Sequence, residues 1–132
     1  LPQGSERSLV FVVDDEWIIA STLAAILRHN GYESVYFTQP LAALEAARSE
    51  APILLISDVM MPEMSGVELA IHLRALSPEC KIMLFSGQAA TADLLNAASK
   101  QGHEFVLFSK PVHPTELLKR IGEAMREGPP SS

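Results

Sequence analysis

The 132-residue sequence has one cysteine, Cys80, so no internal disulfide can form and the framework of a disulfide-stapled extracellular module is absent. Cys80 follows Ser77-Pro78-Glu79 at a strand entrance and reads as a semi-buried thiol in a reducing compartment. No apolar run approaches membrane-spanning length. The polar start Leu1–Ser8 is not a signal peptide; residues 1–8 are expected to be a disordered or vector-derived leader, and the location cytoplasmic. Basic residues are scarce, 10 against 16 acidic, for a formal net charge of -6. That balance argues against this domain gripping nucleic acid through its phosphates. His29, His72, His103 and His113 are scattered without close pairing, which disfavours a histidine-based metal site. Neither a G-x-x-x-x-G-K-[ST] loop nor a G-x-G-x-x-G turn occurs, so nucleotide-binding enzymes fit poorly.

What is present is an ordinary globular composition, 48% hydrophobic and 20% charged, long enough for one domain with one core. Leu9–Val13 is a β-branched and aromatic run that leads straight into Asp14-Asp15-Glu16. Trp17, Ile18, Leu23, Ile26 and Leu27 then recur at helical spacing up to the stop Asn30-Gly31. Tyr32–Phe37 is a short strand, and Thr38-Gln39-Pro40 opens a second helix, closed by Ala51-Pro52. The apolar run that starts at Ile53 and ends in Ser57-Asp58 reads as a strand covered on both faces. Pro62 cannot continue a ladder, and Gly66 lets the chain bend back into a third helix whose apolar positions are Val67, Leu69, Ala70, Leu73 and Leu76. Lys81–Phe85 is a fourth strand ending in Ser86-Gly87, and about 89–100 an alanine-rich fourth helix with few anchors beyond Leu94 and Leu95. Glu104–Phe108 is a fifth strand, Lys110-Pro111 follows, and Pro114–Arg126 is the last helix, with Leu117, Leu118, Ile121 and Met125 inward. Strands alternating with crossover-length helices imply right-handed βαβ units, hence an α/β fold with a parallel sheet and helices on both faces.

In such a sheet the carboxyl ends of the strands share one edge. The first strand delivers Asp14 and Asp15 there, the third Asp58, the fourth Ser86 and the fifth Lys110. Taken singly these are a helix cap, a turn and a solvated loop lysine. Together they have a chemical reading. Three converging carboxylates repel unless a cation intervenes, and Mg²⁺ suits a few carboxylates plus water and phosphate oxygens. A phosphoryl group between that ion and Lys110 would be neutralised from two sides, with Ser86 donating to a third oxygen and Asp58 as the nucleophile.

These motifs resemble the receiver domain of two-component response regulators. Val12-Val13-Asp14-Asp15-Glu16 is similar to that family's acidic pair, and Asp58-Val-Met-Met-Pro62-x-Met64-x-Gly66-x-Glu68-Leu69 to its phosphorylation-site signature. Phe85-Ser86-Gly87 matches the hydroxyl-bearing switch strand, and Lys110-Pro111 the lysine followed by a cis proline. The likeness runs from Leu9 to Arg126, which sets a receiver domain over 9–126 and a tail or linker start over 127–132. It implies a flavodoxin-like five-stranded sheet in the order 2-1-3-4-5. It implies Asp58 as phosphoacceptor and a Mg²⁺ held by Asp15, Asp58, the Met60 backbone carbonyl and, through water, Asp14. Ser86, Gly87 and Lys110 would attend the phosphate, and Pro111 would supply the cis turn. The partner would be a sensor histidine kinase, a histidine phosphotransfer protein or a small phosphodonor. Phosphorylation would alter the face made by the fourth helix, fifth strand and last helix, to control an output domain, a partner protein or a homodimer.

Two positions depart from the family pattern. Leu107 stands where an aromatic switch residue is usual, and the stretch from Gly102 to Lys110 is one residue longer than usual, which suggests a bulge or register change. His113 takes the place of an aspartate cap, and imidazole caps less well. The competing function is a receiver-like interaction module that is never phosphorylated. A turnover phosphatase fits badly, because its proton donor belongs two residues after the nucleophile, where Met60 stands.

Overall fold

The computed structural model describes residues 8–87, 96, 99, 100, 102, 105–109 and 113–126. The strands are β1 (Leu9–Val13), β2 (Glu33–Phe37), β3 (Leu54–Asp58), β4 (Lys81–Ser86) and β5 (Val106–Ser109). Between them run α1 (Trp17–His29), α2 (Pro40–Ser49) and α3 (Gly66–Leu76), and Pro114–Arg126 is the C-terminal helix. All pairings are parallel, in the order β2-β1-β3-β4-β5. The winding reverses between β1 and β3, so the crevice beyond their carboxyl ends is where such a fold places its ligands.

The two-residue repeat of the strands divides the core into two layers. Phe11, Val13, Leu55, Ile82 and Leu84 turn to one side, onto Ala43 and Ala47 of α2 and Val67, Leu69, Ala70 and Leu73 of α3. Val10, Val12, Leu54, Ile56, Met83 and Phe85 turn to the other, onto Ala20, Ala24 and Leu27 of α1 and Leu117 and Ile121 of the C-terminal helix. Small alanines at the contacts bring α1 and α2 close to the sheet, and each fully buried leucine or valine contributes about 1.5–3 kcal/mol. This double cover is why β1 and β3 are apolar at successive positions.

Helix ends follow local chemistry. Asn30 caps α1, and Gly31 leaves it at φ 94°, in the left-handed region that favours glycine. Gln39 and Pro40 start α2. Ser65 and Glu68 form a capping box on α3: the Glu68 N–H donates to Ser65 Oγ at 3.1 Å, and the Ser65 N–H to Glu68 Oε1 at 3.0 Å.

Several boundaries and faces differ from expectation. The inward stripe of α1 is Ala20, Ala24 and Leu27, whereas Trp17 and Ile18 are 61% and 63% exposed. Both are in the first turn, and at 100° per residue Ile18 falls on the side of α1 opposite that stripe. Leu76, in the last turn of α3, is also exposed. Cys80 is fully rather than partly buried. β5 starts at Val106, where pairing with Met83 begins, and not at 104. Its four pairs, Met83↔Val106 to Ser86↔Ser109, run in unbroken register, so these residues contain no bulge. Of the fourth helix, Asn96, Ser99 and Lys100 are described and helical, and Gly102 follows at φ 90°. Its anchors Leu94 and Leu95, and Glu104, lie outside the described residues.

Candidate phosphoryl-acceptor site

The register of β1 against β3, Val13 beside Ser57, brings together Asp14 and Asp15, which follow β1, and Asp58, which ends β3. One carboxylate oxygen from each of Asp14, Asp15 and Asp58 lies within 4.8 Å of the others. Asp14 and Asp58 are buried, at 4% and 8% exposure, and Asp15 opens to solvent. The trio therefore sits half inside the protein, with one acid at its mouth. Beside that mouth a cavity of about 260 Å³ is lined by Asp15, Thr38, Gln39, Pro40, Pro62 and Glu63.

Asp14 also shapes the local backbone. Its Oδ1 accepts a hydrogen bond from the Glu16 N–H at 2.9 Å, holding the turn into α1, which has no other side-chain cap. A carboxylate has four lone-pair positions, so this turn leaves capacity for a cation. The capping and the metal-facing readings of this acid are compatible.

Beyond Asp58 the chain is tied at both ends of the connection to α3. The Val59 N–H donates to the Phe85 carbonyl at 2.9 Å, and the Gly66 N–H to the Val59 carbonyl at 2.8 Å. Met60 lies in this connection and is exposed. The need for glycine at 66 differs from the expected one. Its φ is not positive, and the requirement is close approach: a Cβ there would overlap the Asp58 carbonyl oxygen and lie 3.0 Å from Ser57 Oγ.

Ser86 ends β4, one residue past the Asp58↔Phe85 pair, and is buried; Gly87 follows and is exposed. Lys110 and Pro111 lie outside the described residues, as does the expected cis bond. Leu107 is exposed on β5 opposite Leu84. The rings on either side of it are engaged elsewhere. Phe108 packs on Phe85 at 5.3 Å between centroids, with the Arg120 guanidinium 4.9 Å from its ring, and Phe105 lies under Arg74 at 5.4 Å. His113 does cap the C-terminal helix, Nδ1 accepting from the Thr115 N–H at a long 3.3 Å.

The other nucleophile, Cys80, immediately precedes β4, at the opposite edge of the sheet. Burial pushes its thiol up to about 12, against a smaller opposing pull from Arg74, which keeps it in the weakly nucleophilic thiol form at neutral pH. Sequence reasoning passed over two features of the site. The Ser65-x-x-Glu68 capping box was legible as a motif. Ser57, inside an apolar run, carries no sequence signal, yet its hydroxyl donates to the Asp58 carbonyl at 2.8 Å.

Comparison with known proteins agrees with this geometry. The family model described as the response regulator receiver domain matches residues 10–122. The transcriptional regulatory protein CreB of Escherichia coli is 31% identical over 92% of this chain and 52% of its own length. The response regulator receiver protein CpdR of Brucella abortus is 33% identical over 85% of this chain and 92% of its own. The chain thus spans about half the length of relatives such as CreB and nearly all of CpdR. Among solved structures, a CheY-like receiver domain protein from Methanospirillum hungatei superposes with a TM-score of 0.81 at 27% identity, covering 91% of this chain and 94% of that one. The beryllofluoride-activated NtrC4 receiver domain dimer gives 0.76 at 27% identity, over 89% and 95%. The chain belongs to the response regulator receiver domain family.

Proposed function

We propose that this chain is a phosphorylation-dependent switch that accepts a phosphoryl group on Asp58 and serves signalling rather than substrate turnover. The observation that carries the reading is the convergence of Asp14, Asp15 and Asp58, two of them buried, at the switch point of the sheet. Like charges so placed repel, and a bound cation relieves that repulsion. Hard oxygen donors gathered this closely suit a divalent cation such as Mg²⁺. Asp15 and Asp58 would hold the ion directly, with the Met60 carbonyl, and Asp14 through water. When bound, Mg²⁺ supplies positive charge against the phosphoryl oxygens.

Asp58 attacks the phosphorus of a phosphohistidine in line; the new O–P bond forms as the P–N bond breaks, and the imidazole leaves with the electron pair and takes up a proton. A small acyl phosphate serves the same role with its carboxylate as leaving group. Ser86 and Gly87 lie one strand away to receive the phosphoryl oxygens, and Lys110 is assigned the pairing cation on the family signature. The added charge of about -2 draws these groups inward and shifts the equilibrium of the fourth helix, β5 and the C-terminal helix. Because residue 107 is leucine, that shift proceeds without an aromatic ring at that position. The phosphodonor is a histidine kinase or phosphotransfer protein of the cytoplasm. An output domain, a partner or a second copy then reads the altered face. The receiver spans 9–126.

Amide NMR spectra with and without Mg²⁺ and beryllofluoride test the reading. Shifts centred on Asp58, Ser86 and Gly87, lost in Asp58→Asn, are expected. Unchanged spectra would favour the inert interaction module.

A further inference from the structure

Ser57 is 1% exposed, on the face of β3 that looks toward α3, where Leu55 is its neighbour two residues back. A hydroxyl in such surroundings costs stability unless it is hydrogen-bonded. Serine has one proton to donate, and here it goes to the carbonyl oxygen of Asp58 at 2.8 Å. The α-carbon of Gly66 presses on that same carbonyl from the α3 side, with no room for a Cβ. The following peptide is fixed in turn, since Val59 bonds to Phe85 through its N–H and to Gly66 through its carbonyl. The Asp58 carbonyl at the end of β3 is therefore held by a hydroxyl bond and by close contact with a bare α-carbon, both on the α3 side. That carbonyl belongs to the residue whose carboxylate faces Asp14 and Asp15.

We propose that Ser57 is a positioning residue for phosphoryl acceptance: its hydroxyl fixes the Asp58 main chain and so aims the Asp58 carboxylate. This rests on the reading of Asp58 as the phosphoacceptor. Reactive groups must be held within about 0.5 Å of productive geometry, and a misplacement of about 1 Å costs roughly 100-fold in rate. Ser57 touches neither phosphate nor cation, and acts only through the backbone of Asp58.

The test compares wild type, Ser57→Ala, Ser57→Cys and Ser57→Thr. The rate of acyl-phosphate formation at saturating acetyl phosphate and Mg²⁺ is read by intact-protein mass spectrometry. Mg²⁺ affinity is read by Trp17 fluorescence, and stability by urea unfolding. In Ser57→Ala the saturated rate is expected to fall about 5- to 20-fold, while the half-saturating acetyl phosphate concentration and the Mg²⁺ dissociation constant change less than about twofold. Ser57→Thr, which keeps the hydroxyl, restores the rate. Ser57→Cys keeps the volume with a weaker donor and shows a smaller loss in the same direction; it decides the matter if the alanine variant does not fold. A purely structural role would lower the urea midpoint and leave the saturated rate alone. Folded Ser57→Ala or Ser57→Cys protein reacting at the wild-type rate overturns the proposal by itself. Wild type that takes up no phosphate overturns the reading of Asp58, and the proposal with it.

Discussion

Gly66→Ala sets two physical effects against each other. Gly66 opens α3 and its φ is not positive, so helix propensity alone predicts that alanine stabilises by up to about 1 kcal/mol. Packing predicts the opposite. The new Cβ would overlap the Asp58 carbonyl oxygen and stand 3.0 Å from both the Asp58 carbonyl carbon and Ser57 Oγ. Two of these three atoms are backbone in a strand buried at every position, so they cannot swing aside as a side-chain tip would. Relief requires α3 to lift from β3 or the end of β3 to shift, and overpacking of this kind costs about 1–3 kcal/mol, occasionally more. The net expectation is destabilisation by about 1–2 kcal/mol, a fall in Tm of several degrees for a domain of this size. Because the strained atoms carry the Asp58 carboxylate, phosphoryl uptake should fall further than stability does. Urea unfolding followed by circular dichroism measures the first, and acetyl phosphate labelling of folded protein the second. A Gly66→Ala protein as stable as wild type, or more so, would refute the close-approach argument.

Other perturbations probe separate parts of the account. The Ser34 hydroxyl is buried in β2 and finds no hydrogen-bond partner among the described residues, so Ser34→Ala should raise stability by about 0.5–1 kcal/mol, seen as a higher urea midpoint at unchanged slope. The Cys80 thiol is raised in the folded state to about 12 from 9.0, so its contribution to stability is complete below pH 9 and is lost as pH climbs toward 12. That loss should approach about 1.4 kcal/mol per pH unit, and the stability difference between wild type and Cys80→Ala should shrink over that range; a difference independent of pH would contradict it. Leu107→Tyr places a ring on an exposed position of β5 and should leave acyl-phosphate formation intact, as followed by mass spectrometry; loss of labelling would mean that residue 107 takes part in the chemistry.

The fold was legible because double cover of a parallel sheet leaves a plain mark, apolar runs of five or six residues separated by helical repeats. Asp14, Asp15 and Asp58 were legible for a related reason, since acids that end apolar strands on one sheet edge must meet, and they do. Features set by contact distance were not. Spacing counted Trp17 and Ile18 into the apolar face, because bulky apolar residues outweigh small alanines in such a count, whereas the stripe that meets the sheet is Ala20, Ala24 and Leu27. Gly66 was visible as a glycine, but its reason lay in the approach of α3 to a carbonyl on another element. Ser57 was hidden because a small hydroxyl in an apolar run reads as strand filler until its one proton is traced to Asp58. The expected weakness of a histidine cap at 113 agrees with the long 3.3 Å bond it accepts.

The central claim is chemical, that the carboxylate of Asp58 becomes an acyl phosphate. Borohydride reduces an acyl phosphate to an alcohol, so treating acetyl phosphate-labelled protein with it and sequencing the peptides by mass spectrometry reads the acceptor directly. The account predicts homoserine at position 58, formed only when Mg²⁺ is supplied. Reduction at another acid, or at none, would contradict it.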